Sequence, residues 1–356
     1  MNHPMAKMRT WSAGCLLLAL SYSGSLAQED KVRLEPHEKW TNLMADSKMD
    51  FNFTLKAPAA FKGKVMWTFA DAGTKRVFPR GRGEAPIAAE PKKPAEIKIS
   101  LDVPHVNDGV ILQVQWIVTI YADGKREPEV SDERTLWIFA DDPFFNRAKW
   151  FRDLKLTLFD SDPKSKTGES LIALKSLKGP KTPFEEVRNL AALADLKEGV
   201  LVIGEGVSFK DEAGLAEAMV QAASRGVPVL CLAPKDGGFP LPGADNGLPV
   251  PASLKLLRHD IISKLDKRFD AAAWAPNNEV VARSLAVKTE DGKVIAEVVD
   301  GAKDWPWLQL DYAEKKSRLV VVGFPIIQRW EHSPTPRYLL ARLLKHVTEL
   351  SAGESR

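Results

Sequence analysis

From about Val32 to Phe139 apolar residues alternate with polar ones: Phe51, Phe53 and Leu55, then Val65, Trp67 and Phe69, then Leu112, Val114, Trp116, Val118 and Ile120. A period of two turns one face of a strand to a core and the other to solvent. Ala122-Asp123-Gly124-Lys125 carries hairpin-turn chemistry after the longest of these strands, and Ala85 to Pro94 reads as a Pro- and Ala-rich loop between two others. Strands at this spacing, with no helical stretch among them, predict a small antiparallel β-sandwich of immunoglobulin-like type.

After Trp150 the period changes. Lys155 to Phe159 reads as a strand ending at Asp160, Glu169 to Leu177 and Phe184 to Leu193 as helices, and Val200 to Ile203 as the next strand. Gly199 to Pro234 is the clearest unit, a βαβ. Its helix begins near Ser208 and Asp211 in capping-box spacing, places Leu215, Met219 and Ala223 on one face and stops at Arg225-Gly226; Val227 to Leu232 returns as a buried parallel strand. Pro234 to Pro251 is a long loop rich in Pro and Gly, a surface excursion or a lid. A helix near His259 to Ala273 follows, then two hairpin-like pairs, Ser284 to Val299 and Trp307 to Gly323. The last helix opens at Thr335-Pro336 and carries Leu339, Leu340, Leu343, Leu344, Val347 and Leu350. The expected fold class is α/β plus all-β: a β-sandwich domain over residues 30–143, then a three-layer α/β domain with a mainly parallel sheet over residues 150–350.

The opening residues, 1–27, fit neither domain. Lys7 and Arg9 precede an apolar stretch from Cys15 to Leu20, and small residues end at Ser25-Leu26-Ala27, the layout of a secretory signal peptide. The apolar stretch is far short of the roughly 20 residues that span a bilayer, so no transmembrane segment is expected, and export to the periplasm or beyond is. Ser12-Ala13-Gly14-Cys15 has the apolar stretch after its cysteine, the reverse of a lipoprotein signal. Cleavage near Ala27 removes Lys7 and Arg9 and takes the formal charge from +3 to +1. A nearly neutral exported chain is a poor match to a nucleic-acid partner. Cleavage also leaves Cys231 alone, so no internal disulfide forms and packed cores must supply the stability.

Leu154 to Leu350 resembles the class I glutamine amidotransferase-like domains. The likeness rests on Val200-Leu201-Val202-Ile203-Gly204-Glu205-Gly206, the helix from Leu215 to Ser224, and Arg225-Gly226-Val227-Pro228-Val229-Leu230-Cys231-Leu232-Ala233-Pro234. The family's elbow has the form PVLGICLG, and laid on Pro228 to Lys235 it puts Ala233 at the nucleophilic cysteine, with Cys231 two residues early. A second family motif, FHPE after a strand, falls on Val320-Val321-Val322-Gly323-Phe324-Pro325-Ile326-Ile327 and puts Pro325 at the histidine and Ile327 at the glutamate. Thiolate attack needs a sulfur at the strained turn and donors aimed at the oxyanion, which an alanine methyl does not offer. The resemblance therefore implies a flavodoxin-like α/β fold whose original chemistry is gone, a degenerate domain fused to a sandwich in a secreted bacterial protein. Cys231, between Leu230 and Leu232, is expected to be an inert buried thiol.

Asp160 and Asp162 after a first strand are similar to the aspartate pair of haloacid dehalogenase-like phosphatases, but Lys164 stands where that family has Thr or Val. Turn and cap roles beside Pro163 explain the same residues. Open α/β sheets bind ligands at the carboxyl ends of their strands, so Asp160, Glu205, Lys235 and His332 form a candidate ligand crevice. His37, His105, His259, His332 and His346 show no metal-ligand spacing, and neither a metal nor a cofactor is expected. Trp40, Trp67, Trp116 and Trp137 either fill the sandwich core or stack on sugar rings. Lys75-Arg76 and Arg80-Gly81-Arg82 give one basic loop, solvated or suited to an anionic surface.

The leading expectation is a secreted, non-catalytic binding or assembly protein whose partner is a protein, a small molecule or a glycan. The alternatives are a hydrolase using Asp160, Glu205 and His332, which requires these side chains to converge, and glycan binding by exposed sandwich tryptophans.

Overall fold

The computed structural model describes residues 31–161, 164–243, 246–280, 285–288, 294–298 and 306–349. The expected leader at residues 1–27 and Asp162 lie outside them.

The alternating region forms β1 (Arg33–Pro36), β2 (Asn42–Met44), β3 (Lys48–Lys56), β4 (Phe61–Asp71), β5 (Val77–Ala89), β6 (Ala95–Asp102), β7 (Ile111–Ala122) and β8 (Val130–Phe139). They make two sheets, ordered β1-β3-β6 and β2-β8-β7-β4-β5. All neighbours pair antiparallel except β2 and β8. Phe51, Phe53 and Leu55 of the first sheet and Val114, Trp116, Val118 and Ile120 of the second are buried in one shared core, with the Phe51 and Trp116 ring centroids 5.1 Å apart. Each ring removes some 150–250 Å² of surface from water, so this contact anchors the two sheets to each other. The turn at Ala122 closes through a Lys125 N–H donated to the Ala122 carbonyl at 3.1 Å, with Gly124 at φ 74. The first half of the loop expected from Ala85 to Pro94 is strand. Pairing with β4 carries β5 to Ala89, because Pro86 falls on an edge strand where a missing N–H costs no ladder bond.

The second region contains α1 (Ala148–Asp153), β9 (Leu156–Phe159), α2 (Thr167–Ala173), β10 (Glu185–Val187), α3 (Leu190–Ala194), β11 (Val200–Ile203), α4 (Leu215–Arg225), β12 (Val229–Leu232), β13 (Gly238–Pro240), β14 (Ser253–Leu257) and α5 (Asp260–Leu265). It continues with β15 (Leu285–Lys288), β16 (Val294–Val298), β17 (Trp307–Tyr312), β18 (Ser317–Val322) and α6 (Pro334–Thr348). Seven strands form a sheet ordered β10-β9-β11-β12-β18-β17-β14, parallel from β10 to β18 and antiparallel beyond. The parallel strands, numbered by their sequence, run 2-1-3-4-5, the order of a doubly wound sheet whose direction of winding reverses between β9 and β11. A further small sheet, β13-β15-β16, lies beside it.

Every residue of β9, β11, β12 and β18 is buried, as strands covered on both faces require. Leu158, Val202, Leu230 and Val320 face a core shared with α6, while Leu201, Ile203, Val229 and Val321 face one shared with α4. Helix α4 presents Leu215, Ala216, Met219, Val220, Ala222 and Ala223 to that second core. Gly226 at φ 108 ends it in the left-handed conformation that glycine adopts without strain.

Four helices differ from expectation. Phe184 to Leu193 splits into β10 and α3, because the Glu185–Val187 backbone completes the sheet edge beside β9 and Asn189 then caps a new helix by accepting the Ala191 N–H. The helix from His259 to Ala273 is only α5; Asp266 ends it by turning extended. Glu169 to Leu177 becomes α2 followed by a single tight turn over Lys175–Leu177. Ser208 does accept the Asp211 N–H at 2.9 Å, yet α4 starts only at Leu215, so the capping pair closes a turn before the helix. The pairing of β15 with β16 and of β17 with β18 matches the two expected hairpins; the first turn, 289–293, lies outside the described residues.

A segment after α5 fastens the two regions together. The Asp270 carboxylate accepts the Thr41 N–H at 2.7 Å, the Thr41 hydroxyl at 2.6 Å and the Asn42 N–H at 3.0 Å. Ala273 and Ala275 enter the core of the two N-terminal sheets, and Asn278 exchanges hydrogen bonds with the Lys39 N–H and the His37 carbonyl.

Candidate functional site

The carboxyl ends of β9, β11, β12 and β18 meet at one crevice, and Glu205 ties them together. Gly204, just after β11, donates its N–H to the Phe159 carbonyl of β9 at 2.9 Å. The Glu205 N–H goes to the Thr167 hydroxyl at 3.0 Å, and the Gly206 N–H to the Ala233 carbonyl beyond β12 at 3.1 Å. The Glu205 side chain crosses to the turn after β18, where one carboxylate oxygen accepts the Ile327 N–H at 2.6 Å and the other the Gln328 N–H at 3.1 Å. A buried carboxylate with both oxygens held by backbone donors is a structural clamp, fastening the loop after β11 to the turn after β18.

Lys164, Lys166 and Lys235 surround this clamp and, with Gly206 and Gln328, line a cavity of about 450 Å³. Among the described lining residues three ammonium groups face one anchored carboxylate, an excess of positive charge. Lys166 and Lys235 form no ion pair among the described residues. Asp160 lies behind the cavity, buried, with its carboxyl group against Gly204; a Cβ built there would stand 2.7 Å from Asp160 Cγ. A side chain at position 204 would displace that carboxyl group.

Of the four residues expected to share the crevice, Glu205 and Lys235 line it and Asp160 backs it. His332 does not join them. It lies exposed in a second cavity against the N-terminal sheets, with Trp40, Asn42 and Met49, because the turn after β18 carries the chain away toward α6. Lys166 and Gln328 were not singled out by sequence, and Lys164 figured only as a mismatch to phosphatases. Their signal was position alone, in the loops that follow strands at the winding reversal.

The positions that the amidotransferase resemblance assigns to chemistry are apolar and buried. Ala233 directly follows β12, and Pro325 sits in the turn after β18. Cys231 is fully buried on β12, and burial pushes its thiol far above the ordinary value, so thiolate is not accessible there. Among the described residues no three His, Cys, Asp or Glu side chains converge as a metal site requires. Trp40 and Trp116 are buried and Trp67 and Trp137 half-buried, so these four offer no exposed pair on which a sugar ring would stack.

No protein-family model and no curated protein matches the chain. Among solved structures, similarity extends to Spo0M, a sporulation control protein from Bacillus subtilis (11% identity, 35% of this chain and 54% of that one, TM-score 0.23). It extends also to a cycloisomaltooligosaccharide glucanotransferase of Paenibacillus sp. (10%, 57% and 28%, TM-score 0.22) and a putative β-galactosidase from Bacteroides fragilis (8%, 56% and 28%, TM-score 0.22). The chain spans about half of the first and under a third of the other two. Overlap this slight carries no argument about fold or activity. Among the described residues no helix is long and apolar enough to cross a membrane.

Proposed function

We propose that this chain is an exported, non-catalytic binding protein: an immunoglobulin-like sandwich joined to a degenerate amidotransferase-like α/β domain that takes a small anionic solute in its carboxyl-end crevice. The observation that carries this reading is the state of Glu205. Among the described residues Glu205 is the carboxylate that lines the crevice, its two oxygens are anchored by the Ile327 and Gln328 N–H groups, and no nucleophile stands at Ala233 or histidine at Pro325 to work with it. What remains is a positively charged recess with ordered walls, which suits recognition of an anion.

The test uses the mature chain beginning at Gln28. Chromogenic ester, amide and γ-glutamyl anilide substrates should show no turnover above buffer. Citrate and inorganic phosphate should compete for the crevice, and Lys166→Met with Lys235→Met together should abolish the component of binding for which they compete. Hydrolysis that disappears on substitution of Lys235 or Glu205 would overturn the reading, and so would competition between citrate and phosphate that is indifferent to both lysines.

A further inference from the structure

A third recess lies where the N-terminal sheets, the connecting segment and α6 meet. It encloses about 210 Å³ and is lined by Arg147, Arg268 and Arg342, with Asp142, Asn146 and Tyr338 among the remaining walls. The three arginines come from the turn before α1, the segment after α5 and the middle of α6, far apart in sequence. All three are half-buried. Close approach of guanidinium groups costs Coulomb energy unless anions offset it, so the carboxylates around them decide what the recess can do.

Each nearby carboxylate is already committed. Asp266 accepts Arg268 through Nε at 2.8 Å and through a terminal nitrogen at 2.6 Å, and receives Arg342 at 2.7 Å on the oxygen that takes the second of these. Burial works against its charge, but the hydrogen bonds from Arg268 and Arg342 prevail and hold its carboxyl at about 2. Asp142 lines the recess but is held by other donors: its oxygens accept the Phe144 N–H, the Ser176 N–H and the Ser176 hydroxyl. On the outside, Asp108 pairs with Lys175 and Asp141 with Arg337. Burial pushes the Tyr338 phenol up, so it stays protonated, and it donates to the Ala140 carbonyl at 3.1 Å.

The donors are less fully used. Each guanidinium offers five N–H groups in a planar fork. Arg342 spends one of them on Asp266, and the Arg147 side chain makes no hydrogen bond or ion pair among the described residues. Two incompletely satisfied forks facing one compact space match the bidentate geometry of a carboxylate or a phosphate.

The geometry points to an oxyanion site at this junction: a compact carboxylate or phosphate group held by Arg147, Arg342 and Arg268 and bridging the connecting segment to α6. The site is separate from the lysine-lined crevice and does not depend on it. A ligand there touches both halves of the molecule, so its binding stabilises their mutual arrangement by mass action.

The experiment compares thermal unfolding and calorimetric titration of the mature chain with inorganic phosphate and with succinate, against sodium chloride at equal ionic strength. A saturable rise in Tm with either anion, absent with chloride, is expected; which anion produces it identifies the source of the oxyanion. Arg147→Met breaks no ion pair and should fold normally, yet weaken that anion by roughly tenfold or more, the scale of one charge-assisted hydrogen bond or two. Arg342→Lys keeps the charge and loses the fork, and should weaken it by a smaller factor. Lys166→Met with Lys235→Met, which empties the other crevice, should leave this binding unchanged. Anion effects no larger than those of chloride in the double lysine variant, or unaltered affinity in Arg147→Met, would refute the site while leaving the crevice reading intact. Loss of all saturable binding in the double lysine variant would equally refute it.

Discussion

The Asp270 carboxylate is the sharpest test of how the two halves are joined. Burial is the dominant influence on it and, despite the hydrogen bonds from Thr41 and Asn42, pushes its carboxyl from the ordinary 3.8 up to about 6. The Asn42 side-chain amide also favours the carboxylate electrostatically without closing a hydrogen bond to it. The folded chain thus holds this proton more tightly than the unfolded chain. The stability it contributes is complete below about pH 3.8 and is lost as pH rises through about 6. A shift of that size is worth up to about 3 kcal/mol, an upper bound because Asp270 keeps some contact with solvent. Asp270→Asn is nearly isosteric and does not titrate, so every other carboxyl group cancels in the comparison. Urea unfolding of both proteins, followed by tryptophan fluorescence between pH 4 and pH 7, should show wild type losing about 2–3 kcal/mol relative to the variant as pH rises. Parallel profiles would refute the reasoning and show that the three hydrogen bonds to the carboxylate offset its burial in full.

Three further outcomes follow from the crevice and its surroundings. Gly204→Ala places a methyl group 2.7 Å from Asp160 Cγ and Oδ2 and should cost about 1–3 kcal/mol in a thermal melt; an unchanged Tm would mean the Asp160 carboxyl group swings aside freely. Glu205→Gln keeps one acceptor for two backbone donors and should cost about 1–3 kcal/mol, with faster hydrogen exchange at the Ile327 or Gln328 amide as the local readout. Equal protection at both amides would argue against the clamp. Cys231 should resist thiol reagents in the folded mature chain and label only at the rate of global unfolding, whereas stoichiometric labelling within minutes in native buffer would contradict its burial.

Periodicity made most of the architecture legible. Alternation at Phe51 to Leu55 and Leu112 to Ile120 located strands whose inner faces are the buried ones, and the all-apolar runs at Val200 to Ile203 and Val229 to Leu232 marked strands covered on both sides. Short elements were harder. A three-residue strand such as β10 has no period to detect and exists only because β9 leaves an edge to pair with. The crevice was half legible for a similar reason: the rule that ligands sit at strand ends found Glu205 and Lys235, both within two or three residues of a recognisable strand. His332 stands ten residues past β18, and the path of an irregular turn over that distance is set by packing against the other domain, which no local pattern encodes. The arginine recess was invisible for the strongest version of that reason, since its three members lie on separate elements and share no motif.

The strap from Asp266 to Val280 changes what counts as a unit of this protein. Sequence composition places a boundary near residue 150, but the chain crosses back more than a hundred residues later to complete the N-terminal core with Ala273 and Ala275 and to close its backbone through Asp270 and Asn278. A fragment cut at that boundary would leave the N-terminal half with an open seam, the Thr41 and Asn42 amides without their acceptor and an apolar gap where two alanines belong. The two halves should melt in a single transition, and inheritance of either one without the other would demand a rebuilt surface. In this molecule the linear boundary and the cooperative boundary are different places.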